Sequence, residues 1–373
     1  MLTLAADLRR WRREGREFAV ATVIATRGSA PREPGAALAV DRDGQVIGSV
    51  SGGCVEGAVY DLCRQALADG AGTVAHFGYS AADALAVGLT CGGAIDVLVT
   101  PVTGGRRAEV LDTALDAADA AEPVALVRAT DPAPGPSDGG LLAVSSDGSY
   151  RGSLGGTPEW EGAVAKDAAA LLSAGRTGLL GPDAGSRAAD GLFVETSVPP
   201  PRLIVFGATD VAAAVVRVGA FLGYRVTVCD ARPVFATAAR FPEADEVVVA
   251  WPHTYLARTE VDGRTALCVL THDPKFDIPL LVEALRLPVA YVGAMGSRRT
   301  HEERVARLRE EGVGEPALGR LRSPLGLHLG GRTPQETAVS VAAELIALRR
   351  GGTGVPLTGF SGPVHGPIPA AAL

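Results

Sequence analysis

The chain has 373 residues, 47% of them hydrophobic, with five cysteines and a formal net charge of -7. That length exceeds one ordinary core and favours two domains, while the acidic balance argues against nucleic acid as a main partner. An odd number of cysteines without framework spacing points to a reducing compartment, and cytoplasm is the default expectation.

Leu4 to Arg13 reads as a short amphipathic helix, and Arg9, Arg10, Arg12 and Arg13 leave no apolar signal-peptide core. Phe18 to Ala25 is rich in β-branched residues and reads as a buried strand. A loop from Thr26 to Arg32 then carries two basic side chains, Arg27 and Arg32. Ala37 to Val40, the Asp43-Gly44 turn and Val46-Ile47 predict a hairpin.

That hairpin leads into Gly48-Ser49-Val50-Ser51-Gly52-Gly53-Cys54-Val55-Glu56-Gly57. Val55, Val59, Leu62, Ala66 and Leu67 recur at helical spacing, so Cys54 is expected in a first helical turn. There the helix dipole favours thiolate. Gly52 and Gly53 would let backbone N–H groups approach an anionic ligand, while Glu56 has the simpler reading of a carboxylate favouring the helix N-terminus. Val74–Phe77 and Ile95–Thr100 predict strands, and between them lies a second glycine–cysteine loop, Gly88 to Gly93, with Cys91, Gly92 and Gly93. Cys91 is open to two readings, a second thiolate or a small buried residue before a strand. Cys63, Cys229 and Cys268 fall on a helix and in strands and read as core.

From Gly104 to Thr196 the pattern weakens, with helices near Ala108–Ala121 and Glu161–Ser173, short strands at Val124–Val127 and Leu141–Val144, and a Pro/Gly loop at Asp131–Gly140. Pro199-Pro200-Pro201 marks the boundary, giving a first domain of 1–198, a second of 199–350 and a Gly/Pro-rich disordered tail of 351–373. In the second domain strands alternate with helices, which implies a parallel sheet. The strands are Arg202–Phe206, Arg225–Cys229, Glu246–Ala250, Ala266–Leu270 and Val289–Val292. The helices are Val211–Leu222, Pro274–Leu285, Arg298–Glu311 and Pro334–Arg349. The fold class is therefore α/β: a mixed α+β domain followed by a Rossmann-like, doubly wound parallel-sheet domain. Asp210 and Arg217 interrupt the best apolar run, so no membrane span is expected.

Gly207-Ala208-Thr209-Asp210 sits where a dinucleotide-binding turn would, and Asp230 ends the next strand as a ribose-binding acid would. Thr209 replaces the second glycine, and Asp210 puts a carboxylate where a phosphate would be held, which counts against NAD(P). His272 follows a strand, with Asp273 as N-cap and Pro274 at the first helical position. Gly296, Ser297 and Arg298 form a candidate phosphate site at another strand–helix turn; for Arg299 a solvated helix face is an equal reading.

Together these stretches resemble the xanthine dehydrogenase accessory protein family, XdhC/CoxI. The resemblance rests on ATVIATRGSAPREPGA, GSVSGGCVEG and GLTCGGAIDVLV, between Ala21 and Val99. It continues through LIVFGATDVA, VTVCDARPVFA, THDPKFD, YVGAMGSRRT and SPLGLHLGGRTPQETAVSVAAELIA, ending at Ala347. It implies a maturation factor, a carrier more than an enzyme, that binds molybdenum cofactor and shields it while a cysteine desulfurase installs its sulfido ligand. The cofactor then passes to a molybdenum hydroxylase apo-enzyme. The resemblance places Cys54 and Cys91, with their flanking glycines, against the molybdopterin-type cofactor and its molybdenum. Arg27 and Arg32 either bind the cofactor phosphate or decorate the loop. The family's second-domain turn usually reads Gly-Ala-Gly-His, from which Gly207–Asp210 departs. An NAD(P)-dependent oxidoreductase with His272 as acid–base group and a Cys54–Cys91 redox protein are the alternatives. Delivery to a client requires protein–protein surface, and a homo-oligomer remains open.

Overall fold

The computed structural model describes residues 1–28, 30, 32–78, 93–130, 140–180 and 191–361, folded as two units, Met1–Pro199 and Pro200–Ser361. In the first unit α1 (Ala5–Arg13) buries Leu8 and Trp11. β1 (Phe18–Arg27) then alternates between two faces, as a strand must. Ala19, Ala21 and Val23 enter one apolar cluster, and Phe18 and Val20 another. β1 is the centre of a five-stranded antiparallel sheet with β2 (Ala37–Asp41), β3 (Val46–Gly48), and, beyond α2 (Glu56–Asp69), β4 (Thr73–Phe77) and β5 (Ala94–Val102). The strand order is β3-β2-β1-β5-β4. α2 lies on one face and buries Val59, Cys63, Ala66 and Leu67 there. It stops at Gly70, whose φ of +68° is the left-handed C-cap that glycine adopts without strain.

The weakly patterned middle of the chain forms a second five-stranded sheet. It comprises α3 (Gly105–Asp119), β6 (Val124–Ala129), β7 (Leu141–Ser145), β8 (Tyr150–Ser153), α4 (Pro158–Ser173), β9 (Gly178–Leu179) and β10 (Leu192–Ser197), with strands ordered β8-β7-β6-β10-β9. Leu126, Leu141 and Ala143 of this sheet share the apolar cluster of Phe18, Val20 and the α1 and α3 side chains. The sequence pattern does not announce β10, because Glu195 interrupts its apolar run. Glu195 is buried all the same: its Oε2 accepts from Arg128 Nη2 at 2.7 Å, and Arg128 Nη1 donates to Thr22 Oγ1 of β1 at 3.0 Å. The Arg128–Thr22 hydrogen bond thus ties the second sheet to the first, with the guanidinium held in place by Glu195 within its own sheet.

The second unit is a Rossmann-like layer. β11 (Arg202–Phe206), α5 (Asp210–Phe221), β12 (Arg225–Asp230), β13 (Glu246–Val249), α6 (Pro252–Leu256), β14 (Ala266–Val269), α7 (Pro274–Ala284), β15 (Tyr291–Ala294), α8 (Arg298–Glu310), α9 (Glu315–Leu318), β16 (Leu321–Arg322) and α10 (Pro334–Arg350) follow in order. The six strands are all parallel and run β13-β12-β11-β14-β15-β16, the doubly wound order with its switch point between β11 and β14. β15 starts two residues later than the sequence pattern suggests, because its pairing with β14 begins where Tyr291 meets Ala266. α10 opens with a full capping box, Thr333 and Glu336 exchanging hydrogen bonds. Among the described residues no helix is long and apolar enough to cross a membrane.

Candidate functional site

The registers of the first sheet decide where its loops emerge. Arg27 at the end of β1 pairs with Ala94 at the start of β5, and Phe77 at the end of β4 pairs with Ile95. On the other side Ala37 opens β2 and Gly48, the last residue of β3, pairs with Leu38. The Arg27–Arg32 loop, the Gly48–Gly57 loop and Gly93 therefore all leave one edge of the sheet. β3 and β5 are three strand spacings apart, about 14 Å. α2 narrows that gap by packing over β1 and β5, and its N-cap Val55 joins the cluster of Val23, Phe77 and Ile95. Cys91 and Gly92 lie outside the described residues, and Gly93, next in the chain, is buried.

Within the Gly48–Gly57 loop the expected anion is already present, and it is the chain's own Glu56. Its carboxylate accepts from the N–H groups of Ser51 (2.9 Å), Gly53 (2.8 Å) and Val55 (3.2 Å), and from the hydroxyls of Ser49 (2.8 Å) and Ser51. The Cys54 and Val55 N–H groups reach Ser51 Oγ at 3.0 Å, and Gly52 N–H reaches Ser49 Oγ at 3.0 Å. The amides that Gly52 and Gly53 were expected to offer an external anion are thus engaged internally. Burial works against the ionised carboxyl of Glu56, but the hydrogen bonds from Ser51, Ser49 and the loop amides outweigh it and hold its pKa at about 2. Gly48 is required outright: at φ +79° a Cβ would lie 2.2 Å from the Ala37 carbonyl oxygen.

Cys54 sits one residue before the N-cap and not in the first helical turn, half-buried against the α2 cluster. This corrects the expected position, because the Glu56 side chain folds back and makes Val55 the capping residue. Cys63, Cys229 and Cys268 are buried thiols, each pushed up to about 12, chiefly by burial. Arg27, exposed, pairs with Asp96 at 3.3 Å, and the same carboxylate holds His76 through Nδ1. Sequence reasoning missed His76 and Asp96, which are twenty residues apart and meet only through the β4–β5 register. Arg32 stands on the wall of a cleft of about 610 Å³ in the same unit, with Gly48 and Ser49 on another wall.

In the second unit the residues expected at a ligand edge do gather at the carboxyl ends of the parallel strands: Gly207 after β11, Asp230 at the end of β12, His272 after β14, and Gly296, Ser297 and Arg298 after β15. Gly207 has φ +105°, and a Cβ there would lie 2.7 Å from Thr271 Cγ2. Thr209 is the N-cap of α5, accepting from Ala212 N–H at 3.1 Å, which is what this residue does in place of a glycine. Asp210 is exposed and 3.4 Å from Arg240. Asp230 is buried, with both oxygens engaged. Oδ2 accepts from Ala208 N–H (2.7 Å) and Arg232 Nη2 (2.8 Å), and Oδ1 from Arg232 N–H and Nε (2.9 Å each). Burial opposes this ionised carboxyl, but the Arg232 and Ala208 contacts outweigh it and hold it below the usual carboxylate range. A ribose hydroxyl would have to displace Arg232.

His272 is exposed beside Asp273, which caps α7. Asp277, one turn on, is buried against Arg304 (3.0 Å) and accepts from the Thr271 hydroxyl; Arg304 also donates to Met295 O (2.9 Å) and Ser323 Oγ (3.0 Å). Burial raises the Asp277 carboxyl despite these partners. Ser297 caps α8 through Thr300 N–H at 3.1 Å, and Arg298 is exposed.

With this geometry in place, two family models match the chain. The "XdhC and CoxI family" model matches residues 11–78 and the "XdhC Rossmann domain" model residues 203–345. The chain belongs to the XdhC and CoxI family. The family matches cover the Gly48–Gly57 loop in one unit and the Gly207, Asp230, His272 and Ser297 edge in the other. A Bacillus subtilis relative described as a probable xanthine dehydrogenase subunit is 28% identical over 339 residues, spanning 90% of this chain and 94% of that protein. The molybdenum cofactor insertion chaperone PaoD of Escherichia coli is 26% identical over 337 residues, spanning 90% of this chain and 84% of its own. A solved structure described as a xanthine dehydrogenase from Bacillus halodurans shares the fold, with a TM-score of 0.65 at 24% identity over 96% of this chain and 98% of that one.

Proposed function

We propose that this chain is a maturation factor for a molybdenum hydroxylase of the xanthine dehydrogenase or CO dehydrogenase type. It takes molybdenum cofactor as cargo at the edge of the first sheet, shields it during sulfuration by a cysteine desulfurase, and passes it to the cytoplasmic apo-enzyme. The names of the relatives support the molybdenum pathway. The observation that carries the reading is the sheet register, which brings Cys54, Arg27 and Gly93 to one edge.

The residues at that edge fit such a cargo. A half-buried thiol suits a sulfur-ligated molybdenum centre, and arginine suits the phosphate of molybdopterin. Cys54 is assigned the contact to the metal, and Cys91 the second thiolate. Glu56 holds the loop in the shape that presents Cys54, since it is the common acceptor for three amides and two hydroxyls. Cargo molybdenum supplies the centre at which sulfur is exchanged; the chain supplies position and shelter. An NAD(P)-dependent oxidoreductase has less support, because Ala208 and Arg232 already occupy the Asp230 carboxylate.

The test is reconstitution. Full-length chain is mixed with cofactor released from a denatured molybdenum hydroxylase, re-isolated, and added to cofactor-free enzyme. Recovered activity in proportion to the molybdenum carried is the expected result. A chain that re-isolates without molybdenum and restores no activity would overturn the proposal.

A further inference from the structure

The two sheets of the first unit are built alike. α1, β1, β2, β3, α2, β4 and β5 are followed by α3, β6, β7, β8, α4, β9 and β10, and the order β3-β2-β1-β5-β4 matches β8-β7-β6-β10-β9 strand for strand. Details repeat as well. In each hairpin a glycine N–H closes the turn, Gly44 on Asp41 O at 3.1 Å and Gly148 on Ser145 O at 3.0 Å. A Cβ on Gly152, as on Gly48, would lie 2.2 Å from the carbonyl oxygen of the residue that opens the neighbouring strand, here Leu141. Gly-Ser then opens both loops and Glu-Gly-Ala-Val closes both, Gly48-Ser49 with Glu56–Val59 and Gly152-Ser153 with Glu161–Val164. Ser153 Oγ donates to Glu161 Oε1 at 2.7 Å, the Leu154 N–H donates to the same oxygen at 2.7 Å, and the Gly155 N–H reaches Ser153 Oγ at 3.0 Å. Glu56 and Ser49 make the same three kinds of bond in the first loop. The helices that follow bury equivalent faces, Val59, Cys63 and Leu67 in α2, and Val164, Ala168 and Leu172 in α4.

The two copies also meet at matching positions. Thr22 pairs with Ala37 and Leu98 in the first sheet, and Arg128 pairs with Leu141 and Phe193 in the second, so Thr22 corresponds to Arg128 and Leu98 to Phe193. Thr22 accepts from Arg128, and Leu98 shares an apolar cluster with Phe193. Contact between like positions is what a two-fold axis produces. Resting on the maturation reading, we infer that the first unit is one module used twice about a pseudo-two-fold axis, with the cargo edge belonging to the first copy alone. The serine–glutamate clasp, which both copies share, is architecture; residues that only the first copy has select the cargo. The Gly152–Glu161 loop has no cysteine, and Asp96, two residues before Leu98, corresponds to Gly191. The same strand pairing therefore stands without a carboxylate at that place. Asp96 gives one oxygen to Arg27 and the other to His76 Nδ1, and both partners are more than half exposed, so these pairs add little to stability. Asp96 is a positioning residue: it fixes a guanidinium, and an imidazole whose Nε2 is left to accept, side by side at the cargo edge.

Full-length Glu161→Ala, Asp96→Ala and Asp96→Glu, set beside Glu56→Ala, test this. Hydrogen exchange should quicken at Leu154 and Gly156 in Glu161→Ala, as at Ser51 and Gly53 in Glu56→Ala. Glu161→Gln, which keeps one acceptor oxygen, replaces the alanine variant should that one not fold. The second readout is molybdenum retained after mixing with cofactor released from a denatured molybdenum hydroxylase. Retention should be unchanged in Glu161→Ala. It should fall about fivefold or more in Asp96→Ala, with the thermal midpoint unmoved, and recover in large part in Asp96→Glu. Asp96→Ala that retains as much as the unmodified chain, or folded Glu161→Ala that loses as much as Asp96→Ala, overturns the division of roles. Unchanged exchange at Leu154 and Gly156 overturns the shared clasp. An unmodified chain that retains no molybdenum ends the maturation reading and the role of Asp96 with it, whereas the exchange response of the two loops, which needs no cargo, judges the repeated module separately.

Discussion

The Gly48–Gly57 loop and the Gly207–Asp210 turn look alike in sequence, each a glycine turn between a strand and a helix. Both are ready-made places for an anion or a nucleotide, and both are filled by the chain itself. In the first unit Glu56 takes the amides; in the second Thr209 caps the helix and Arg232 covers Asp230. The difference lies in what remains for a partner. The first loop, once satisfied, presents a half-buried thiol. The second presents the exposed carboxylate of Asp210, which opposes a phosphate. A glycine-rich turn therefore predicts backbone conformation more safely than it predicts a ligand.

That contrast can be broken at several points. The largest effect is expected at the anchor of the second unit. Arg304→Ala leaves Asp277 buried without its cation and should lower stability by about 3–5 kcal/mol. In urea unfolding, a loss below about 1 kcal/mol would mean that the Thr271 and Ser297 loops are held in another way. Next comes Glu56→Ala, which strips a common acceptor from the first loop, at about 1–3 kcal/mol. Hydrogen exchange should quicken at Ser51, Gly53 and Val55 while the Gly207 turn is unaffected; uniform protection would contradict the self-filled loop.

Acid probes the same carboxylate. The folded pKa of Glu56, about 2, lies below its ordinary 4.5. Its stabilising contribution is therefore complete above about pH 4.5 and is lost as pH falls toward 2. Amide protection in the loop should fade in that window in the unmodified chain and show no such transition in Glu56→Gln. The smallest effect is expected from Arg232→Ala. It removes a half-exposed guanidinium from the buried Asp230 carboxylate, which keeps the Ala208 and Arg232 N–H groups, and should lower stability by about 1 kcal/mol. Carboxyl NMR should nevertheless show Asp230 titrating at higher pH, since its main compensating partner is gone. An unmoved Asp230 titration would mean that Ala208 alone sets it.

Much of the fold is legible in the sequence because its strands are β-branched runs and its second half alternates strand with helix. β10 is hidden, since Glu195 reads as a surface residue until Arg128, sixty-seven positions earlier, is seen beside it. The candidate site is legible in its residue types but less so in its wiring. Cys54 and its glycines stand out, whereas the route of Glu56 back to Ser49 and Ser51 depends on the path of the loop. Arg232, two residues after Asp230, is a local hint that the acid would be covered. His76 and Asp96 meet only across strands, and no local pattern announces a register.

The central claim is that the thiol at the first sheet's edge holds the cargo. The direct measurement is molybdenum and pterin retained after gel filtration by the unmodified chain, by Cys54→Ala, and by the Cys54→Ala/Cys91→Ala pair, each checked for an unchanged thermal midpoint. Retention by Cys54→Ala should fall about tenfold or more, as loss of a metal contact commonly causes, with the fold intact. Retention by the double variant equal to that of the unmodified chain would contradict the claim.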